Sequence, residues 1–374
     1  MASLVNIYRL GIKEFWSLRR DPMLIFLIVY VFTVAIYLVA TAMPDSLNRA
    51  VIAVVDEDQS SLSRGIVAAF YPPYFMPARM ISLAAMDPGM DNGQFTFVLN
   101  IPPNFARDVL AKRSPSIQLN VDATRMSQAF TGSGYVQQIV MGEINEFVKR
   151  HRSNEPLPAE LVLRARFNPS LTNAWFGSIM ELINAITMLS IILTGAALIR
   201  EREHGTIEHL LVMPITSEEI MFSKIWSMGV IVLIAAGCSL TLVIQGLLKV
   251  PIEGSVGLFL VGTFLYLFAT TSLAIFLATI ARSMPQFGLL IMLILLPLQM
   301  LSGAMTPQES MPTLLQNIML IAPTTHFVSL AQAILYRGAD LAIIWKQLLA
   351  LLAIGTLFFT IAMGRFSKSI NNMV

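Results

Sequence analysis

Six stretches of the chain are apolar for about 20 residues each, the length that a helix needs to cross the hydrocarbon core of a bilayer. They hold almost no charged side chains, so they predict membrane-spanning helices. The predicted spans are Met23–Met43, Trp175–Ile199, Met221–Leu248, Gly257–Ala281, Gln286–Gly303 and Leu341–Gly364. The short sequence Arg282-Ser283-Met284-Pro285 separates the fourth span from the fifth, which predicts a tight helical hairpin.

About 130 residues, Pro44 to Ala174, separate the first two spans and follow a different pattern. Short apolar runs that are typical of strands alternate here with helical stretches, and turn residues are frequent. Strands are predicted at Ala50–Asp56, Phe95–Ile101, Ser116–Asp122 and Val162–Phe167, and helices at Ser60–Tyr71, Asn104–Lys112 and Ser127–Arg150. Strands that alternate with helices predict an α/β domain with a small sheet outside the membrane.

The composition indicates a polytopic membrane protein and not a soluble one. Of the 374 residues, 55% are hydrophobic and 13% are charged, whereas about 25% are charged in soluble globular domains. A net charge of +2 is too balanced to indicate nucleic acid as a partner. One cysteine and four histidines exclude an intramolecular disulfide framework and a zinc cluster.

Lysine and arginine orient the spans, because short cytoplasmic loops are enriched in both residues. With the N-terminus inside, ten basic residues flank the inner side: Arg9, Lys13, Arg19, Arg20, Arg200, Arg202, Lys224, Arg282, Arg365 and Lys368. The short outer loops and their helix ends hold three, which are Lys249, Arg337 and Lys346. Both termini are therefore predicted to be cytoplasmic. The first apolar run is longer than the apolar region of a signal peptide, which has 7–15 residues, so the run is interpreted as a permanent anchor.

The residues before the first span have the periodicity of an amphipathic helix. Asn6, Arg9, Lys13, Ser17 and Arg20 recur at spacings of three and four and form one polar stripe. A helix of this kind lies in a membrane interface, here on the inner side. The basic stripe is expected to face lipid headgroups or a cytoplasmic partner, and the pattern favours neither over the other.

One inner loop, between the second and third spans, is long enough to have a shape of its own. Gly205 ends the helix that leaves the membrane, and Thr206 is placed to cap a short new helix, with Glu208 in its first turn. Pro214 ends that helix. The sequence Thr216-Ser217-Glu218-Glu219 then has the spacing of a capping box at the start of the third span. The loop is therefore predicted to have a defined shape.

Three segments resemble the ABC-2 type exporter permeases. Arg200–Leu210 reads Arg-Glu-x-x-x-Gly-Thr-x-Glu-x-Leu, and Pro214 and an acidic residue follow it before Lys224. Leu301–Pro312, followed by Pro323 and Thr324, is similar to the family's last outer segment. Ile101-Pro102-Pro103-Asn104-Phe105, with Asp108-Val109-Leu110, is similar to the outer domain of its long bacterial members. Because the three segments occur in the family's order, the resemblance covers nearly the whole chain.

The resemblance implies a half-transporter of the bacterial inner membrane. Two six-span subunits pair, and each docks a separate ATP-hydrolysing subunit on its cytoplasmic face. The region Glu203–Met213 would be the coupling helix that sits in a groove on the ATPase. The residues that the resemblance implies for coupling are Glu201, Glu203, Gly205, Thr206, Glu208 and Pro214.

Hydrolysis is expected in a partner, because the chain lacks the motif G-x-x-x-x-G-K-[ST]. The chain is thus expected to be a non-catalytic permease that binds no cofactor, with ATP and Mg²⁺ on the partner ATPase. The resemblance also implies a second permease subunit, in a homodimer or heterodimer, contact with membrane lipid, and a periplasmic adaptor with an outer-membrane channel. The cargo is expected to be hydrophobic or amphipathic, and to be exported.

Ionisable side chains and backbone breaks within the spans are candidates for a substrate path or an outer gate. Glu181 lies in the second span, where it lines a polar cavity or pairs with a neighbouring helix, and Lys346 is interpreted as snorkelling. Pro297 and Gly303 are expected to break up the fifth span, and re-entrant or interfacial outer helices are expected after it. The candidate residues are Glu181, Gln299, Ser302, Gly303, Pro307 and Pro312.

The predicted fold is an α-helical polytopic membrane protein with six transmembrane helices, an N-terminal interfacial helix, and an α/β periplasmic domain between helices 1 and 2. The predicted boundaries are 1–22 for the interfacial helix, 23–43 for the first span, 44–174 for the periplasmic domain, 175–364 for helices 2–6, with the coupling loop at 200–220 and the outer segment at 303–340, and 365–374 for the cytoplasmic tail.

Three other functions are weighed against an ATP-driven exporter. An ion-coupled secondary transporter usually has several intramembrane carboxylates or histidines, and this chain has one good candidate, Glu181. A membrane receptor would need an output module, which an inner loop of about 20 residues does not supply. A permease-like subunit that transmits ATPase-driven motion to its outer domain, without conducting cargo, also remains open.

Overall fold

Two units make up the chain. The structure, a computed structural model, describes residues 3–42, 49–122, 126–151, 173–203, 205, 215–281, 283–303, 306 and 308–371. The first unit comprises Met1–Met43 and Ala165–Val374, and the second comprises Pro44–Arg164.

The first unit is a bundle of long apolar helices. Among the described residues, six helices are long and apolar enough to cross a membrane: Pro22–Ala42, Ala174–Glu203, Ser217–Leu247, Val256–Ile280, Met284–Leu301 and Leu341–Ser367. They are called the first to sixth spans. Each overlaps its predicted range, so the prediction of six spans is confirmed.

Several span helices have irregular or extended ends. The helix of the second span begins at Asn173, and that of the sixth continues to Asn371. The first and third spans each contain a π-helical stretch, Val31–Ala35 and Ser239–Leu247 respectively. The regular parts of these two spans are therefore Pro22–Tyr30, Ile36–Ala42 and Ser217–Cys238.

The second and fourth spans form the centre of the bundle. Their most apolar windows are 78% and 67% buried, against 17–22% for the first, fifth and sixth spans. Two hydroxyl pairs join the central helices: Thr187 Oγ1 lies 2.6 Å from Tyr266 Oη, and Ser190 Oγ donates to Thr270 Oγ1 at 2.8 Å. Hydrogen bonds of this kind hold helices together where water is absent. The outer spans leave a wide apolar surface for lipid or another subunit to cover.

Helix α1, Leu4–Arg19, precedes the first span and packs against the third span. Gly11 makes this approach close, since a Cβ built at Gly11 would lie 2.0 Å from the Trp226 ring. Asp21 then starts the first span: its carboxylate accepts a hydrogen bond from Leu24 N, and Pro22 occupies the first helical position, where a missing N–H costs nothing. That α1 lies in a membrane interface stays a prediction.

The second unit contains a four-stranded sheet. Its strands are β1 (Ile52–Asp56), β2 (Arg79–Met80), β3 (Phe97–Ile101) and β4 (Gln118–Val121), in the order β2-β1-β3-β4. Strand β1 is parallel to β2 and β3, and β4 is antiparallel to β3. The three longer strands fall in predicted ranges. Strand β2 is a two-residue pairing that no apolar run indicates, and the strand predicted at Val162–Phe167 lies outside the described residues.

The described residues of the same unit form four helices: α2 (Ser61–Ala68), α3 (Met86–Asp91), α4 (Phe105–Leu110) and α5 (Met126–His151). Three of them occur where helices are predicted, and α3 is additional. The apolar residues of β4, Leu119 and Val121, pack on the same core as Val136 and Val140 of α5, which confirms the alternation in this strand. A short 3₁₀ turn, Leu83–Ala85, precedes α3.

The region between the fifth and sixth spans contains two more helices, α6 (Thr313–Met319) and α7 (Pro323–Leu335), bent by 85° relative to each other. The predicted break at Pro297 is wrong, because the helix of the fifth span continues through Pro297 to Leu301. Proline removes one hydrogen bond from a helix, and transmembrane helices tolerate that loss. Gly303 does end the helix, with a φ of +92° that glycine adopts without strain.

Candidate coupling site

A buried lysine in the third span joins three elements that are far apart in sequence. The Lys224 side chain is 1% exposed, and its Nζ lies 3.0 Å from Glu14 Oε1 of α1 and 2.7 Å from Glu201 Oε2 of the second span. The other oxygen of Glu201 lies 2.8 Å from Lys13 Nζ. Lys224, Glu14 and Glu201 are shielded from water and compensate each other, as buried charges require, while Lys13 adds a half-exposed cation at the edge. These four residues are called the charged clamp.

The sequence pattern does not single out Lys224, since its position near the inner end of a span is ordinary for a basic residue. Glu14 offers a signal. It lies four residues from both Leu10 and Leu18, on the apolar side of α1. A carboxylate on an apolar face indicates a buried partner, but one sequence does not show that the partner lies 210 residues away.

A second contact joins the start of α1 to the start of the third span. Glu219 and Thr216 form the predicted capping box, with Glu219 N donating to Thr216 Oγ1 at 3.3 Å and Thr216 N donating to Glu219 Oε2 at 2.8 Å. The other oxygen of Glu219 accepts hydrogen bonds from Ser3 N at 2.6 Å and Asn6 Nδ2 at 3.2 Å. The capping box is thus confirmed, and its glutamate also holds α1.

Two of the five residues of the polar stripe of α1 contact the bundle, and the orientation of the stripe toward headgroups or a soluble partner stays a prediction. Asn6 donates to Glu219, and Lys13 donates to Glu201. Both side chains therefore contact carboxylates of the bundle, and that of Lys13 is also 49% exposed. The physical reason is that the second and third spans present carboxylates at this end, and these attract the nearest polar groups of α1.

The last helical turn of the second span contacts the short connection between the fourth and fifth spans. Arg202 Nη1 donates to the Ala281 carbonyl oxygen at 2.8 Å, and Glu203 Oε1 accepts a hydrogen bond from Met284 N at 2.9 Å. Helix ends leave C=O groups at the C-terminus and N–H groups at the N-terminus without partners. Each charge also has the favourable sign for the dipole of the helix it contacts. These two contacts are called the turn latch.

Four consecutive residues therefore connect most of the bundle. Arg200 Nη1 lies 3.4 Å from Asp21 Oδ2 at the start of the first span. Glu201 contacts α1 and the third span, Arg202 the end of the fourth span, and Glu203 the start of the fifth. A displacement of this last turn acts on all of these elements at once.

Residues 23–363 match the sequence profile described as ABC-2 family transporter protein. The chain belongs to the ABC-2 family. It is 62% identical over 373 residues to the inner membrane transport permease YhhJ of Escherichia coli (strain K12), with 100% of both chains covered. It is 28% identical over 364 residues to the probable multidrug ABC transporter permease YbhR of the same strain, covering 96% of this chain and 97% of the relative. The probable multidrug ABC transporter permease YbhS is 27% identical over 277 residues, 72% of each chain.

Family membership confirms the resemblance seen in the sequence. An ABC-2 chain with six spans and permeases as relatives is a transmembrane subunit of an ABC transporter, and a multi-pass inner membrane protein. Arg200–Glu203 opens the segment that resembles the family signature, and each of these four residues contacts another element of the bundle.

The structure describes three of the six predicted coupling residues of this ABC-2 chain. Glu201 belongs to the charged clamp and Glu203 to the turn latch, while Gly205, with a φ of +66°, follows the end of the second helix as expected. Thr206, Glu208 and Pro214 lie outside the described residues. Their part in docking an ATPase stays a prediction.

The predicted path residues are spread along the bundle. Glu181 is half-buried in the second span, and its side chain hydrogen-bonds with Asn184 of the same helix. Ser302 Oγ donates to the Gln299 carbonyl oxygen at 3.1 Å, within the last turn of the fifth helix. Gly303 follows that turn, exposed Pro312 precedes α6, and Pro307 lies outside the described residues. The structure thus brings Gln299, Ser302 and Gly303 together, and their role in a path stays a prediction.

Proposed function

We propose that this chain is the non-catalytic permease subunit of an ATP-driven exporter. It moves a hydrophobic or amphipathic compound out across the inner membrane. A separate ATPase, which carries ATP and Mg²⁺, docks on the loop between the second and third spans. Both termini lie in the cytoplasm, the sheet-containing unit lies in the periplasm, and a second permease subunit covers part of the exposed apolar surface. An adaptor and an outer-membrane channel extend the route.

The observation that carries this proposal is the set of contacts made by Arg200–Glu203. These residues lie directly before the docking loop, and each one contacts a different part of the bundle. Breaking a buried ion pair by removing one partner costs about 3–5 kcal/mol. A displacement of the loop by the ATPase therefore moves the contacting spans together, because these contacts are too costly to break.

The relatives support the exporter assignment. Two of them are named as probable multidrug ABC transporter permeases, and a compound class of that kind fits the expected hydrophobic cargo. The low count of ionisable groups within the described spans argues against coupling to an ion gradient, because that mechanism usually places several carboxylates or histidines at membrane depth.

The docking assignment is tested by reversing one charge in the loop. We expect Glu208→Lys to lower the amount of ATPase that co-purifies with the chain by about ten-fold or more, because losing a buried interfacial charge pair costs about 2–5 kcal/mol. Glu208 is a sharper choice than Glu203, since Glu203 also holds Met284. The measurement is the ratio of ATPase to permease after affinity purification from membranes.

The matched control is Glu57→Lys, the same charge reversal at an exposed position of the second unit. It is expected to leave co-purification unchanged. If Glu208→Lys retains the ATPase and its hydrolysis rate as well as the control does, the loop is not the docking site.

A further inference from the structure

One face of α1 is exposed and carries positive charge together with aromatic rings. The exposed residues of this helix and its C-terminal cap are Leu4, Val5, Tyr8, Arg9, Lys13, Trp16, Arg19 and Arg20. The carboxylate in this stretch, Glu14, is buried against Lys224. The exposed side of α1 therefore presents cations without a competing anion of its own. Arg9, Arg19 and Arg20, with Tyr8 and Trp16, are called the basic face.

An apolar cleft of about 540 Å³ lies beside the N-terminal half of this face, lined by Leu4, Ile7, Tyr8, Phe222 and Trp226. Its walls are fixed by specific contacts. The Tyr8 and Trp226 rings stack at 6.1 Å with an angle of 4° between their planes, and Trp226 Nε1 donates to the Ile7 carbonyl oxygen at 3.2 Å. The cleft is thus a preformed feature of the junction between α1 and the third span.

The junction lies at the start of the third span, the level at which a bilayer crossed by that span would have its headgroups. Phe222 and Trp226 belong to the first turns of the third span, which starts at Ser217. Helix α1 runs beside those turns, held by Glu219 at one end and by Lys224 further along. Tryptophan and tyrosine are enriched at membrane–water interfaces, and Tyr8 and Trp16 are both exposed on α1.

The positive charge of the basic face indicates the chemistry of the ligand. Each lysine or arginine near a membrane surface contributes about 1 kcal/mol of attraction to anionic lipid, and a guanidinium group matches the geometry of a phosphate. Arg19 also lies over the Trp16 ring, 5.3 Å from its centroid, which keeps that guanidinium beside an interfacial aromatic side chain. An acidic protein segment would satisfy the arginines and leave the apolar cleft unfilled.

We propose that α1 and the first turns of the third span form a binding site for an anionic phospholipid. One acyl chain occupies the cleft, and the phosphate pairs with Arg9. Arg19 and Arg20 attract further anionic headgroups along the helix. The lipid thereby contacts the helix that the charged clamp joins to the second span, so the occupancy of this site affects the position of the clamp.

The test uses the full-length chain, purified in a neutral detergent and stripped of lipid. Phosphatidylglycerol and phosphatidylcholine with identical acyl chains are added separately, and bound lipid is counted by native mass spectrometry. We expect the wild-type chain to bind phosphatidylglycerol at least ten-fold more tightly. Replacing all of Arg9, Arg19 and Arg20 by Gln is expected to abolish most of that preference. Gln at Arg64, Arg79 and Arg107, three exposed arginines of the second unit, is the matched control.

The cleft is tested separately by Leu4→Asn, an uncharged polar change at a side chain that is 82% exposed and so does not endanger folding. It is expected to weaken phosphatidylglycerol binding several-fold, whereas Leu83→Asn in the second unit leaves it unchanged. Thermal unfolding without added lipid shows that each variant is folded.

Three outcomes would overturn the proposal. Equal binding of the two lipids removes the charge preference. Full displacement of phosphatidylglycerol by glycerol 3-phosphate indicates a phosphate site that needs no acyl chain. Loss of the lipid when the co-purifying ATPase is added back, together with loss of that ATPase in the arginine variant, assigns the basic face to a protein.

Discussion

Lys224 shows how one residue determines whether several apolar elements stay together. Its ammonium group lies between Glu14 and Glu201, with water excluded. The sequence pattern predicts the apolar surroundings of this residue, because they follow from the length of the span. It does not predict the carboxylates, since these come from α1 and the second span and meet Lys224 only in the folded chain.

We expect Lys224→Met to destabilise the protein by about 3–5 kcal/mol, because it leaves two buried carboxylates without their shared cation. The control Lys13→Met removes a lysine that is 49% exposed, and a pair of that kind contributes about 1 kcal/mol or less. The measurement is thermal unfolding of the purified chain in detergent.

A double variant gives a second check on the same residue. Glu14→Met combined with Lys224→Met removes one charge of each sign and leaves Glu201 paired with Lys13. We expect it to be more stable than Lys224→Met alone, since residues in one ion network are not additive. Equal melting temperatures for Lys224→Met and Lys13→Met would show that Lys224 is not held by these carboxylates.

At the scale of elements, the turn between the fourth and fifth spans is bound by two side chains from the end of the second span. Its short length follows from the sequence, which leaves four residues between the two predicted spans. The turn latch does not follow from the sequence, because Arg202 and Glu203 are separated from their partners in the turn by 79 and 81 residues. The short strand β2 is not predicted for a related reason, since it forms only by pairing with β1.

We expect the double change Arg202→Ala and Glu203→Ala, which removes both side-chain hydrogen bonds, to loosen the start of the helix of the fifth span. Losing a side-chain cap costs about 0.5–2 kcal/mol, which corresponds to roughly two- to thirty-fold faster amide exchange. Hydrogen–deuterium exchange of the peptide that contains Met284 and Phe287 measures this effect.

The control for the turn latch is Arg200→Ala, a change at the neighbouring residue whose partner is Asp21. It is expected to affect exchange near the start of the first span and to leave the peptide at Met284 unchanged. If the double variant exchanges no faster at Met284 than this control does, the turn is held by packing and not by the two charges.

At the scale of the whole molecule, the average composition hides a strong division. Spans on the outside of the bundle expose apolar side chains along most of their length. The second unit instead buries its apolar side chains in a core around a mixed sheet. This division is visible in the sequence, because it depends on local hydropathy and on strand and helix patterns. The side of the membrane on which the second unit lies depends on charges spread over all the loops.

The side on which the second unit lies is tested with single cysteines in a Cys238→Ser background, so that each variant carries one thiol. Arg107→Cys marks the second unit, and Glu218→Cys marks the start of the third span; both positions are exposed. Because ten basic residues flank the predicted inner side and three the outer, the positive-inside rule places Glu218 in the cytoplasm. An impermeant thiol reagent should therefore label Arg107→Cys in intact spheroplasts and label Glu218→Cys only after permeabilisation. The reverse result would place the second unit in the cytoplasm and the docking loop outside, where no ATP-driven partner could reach it.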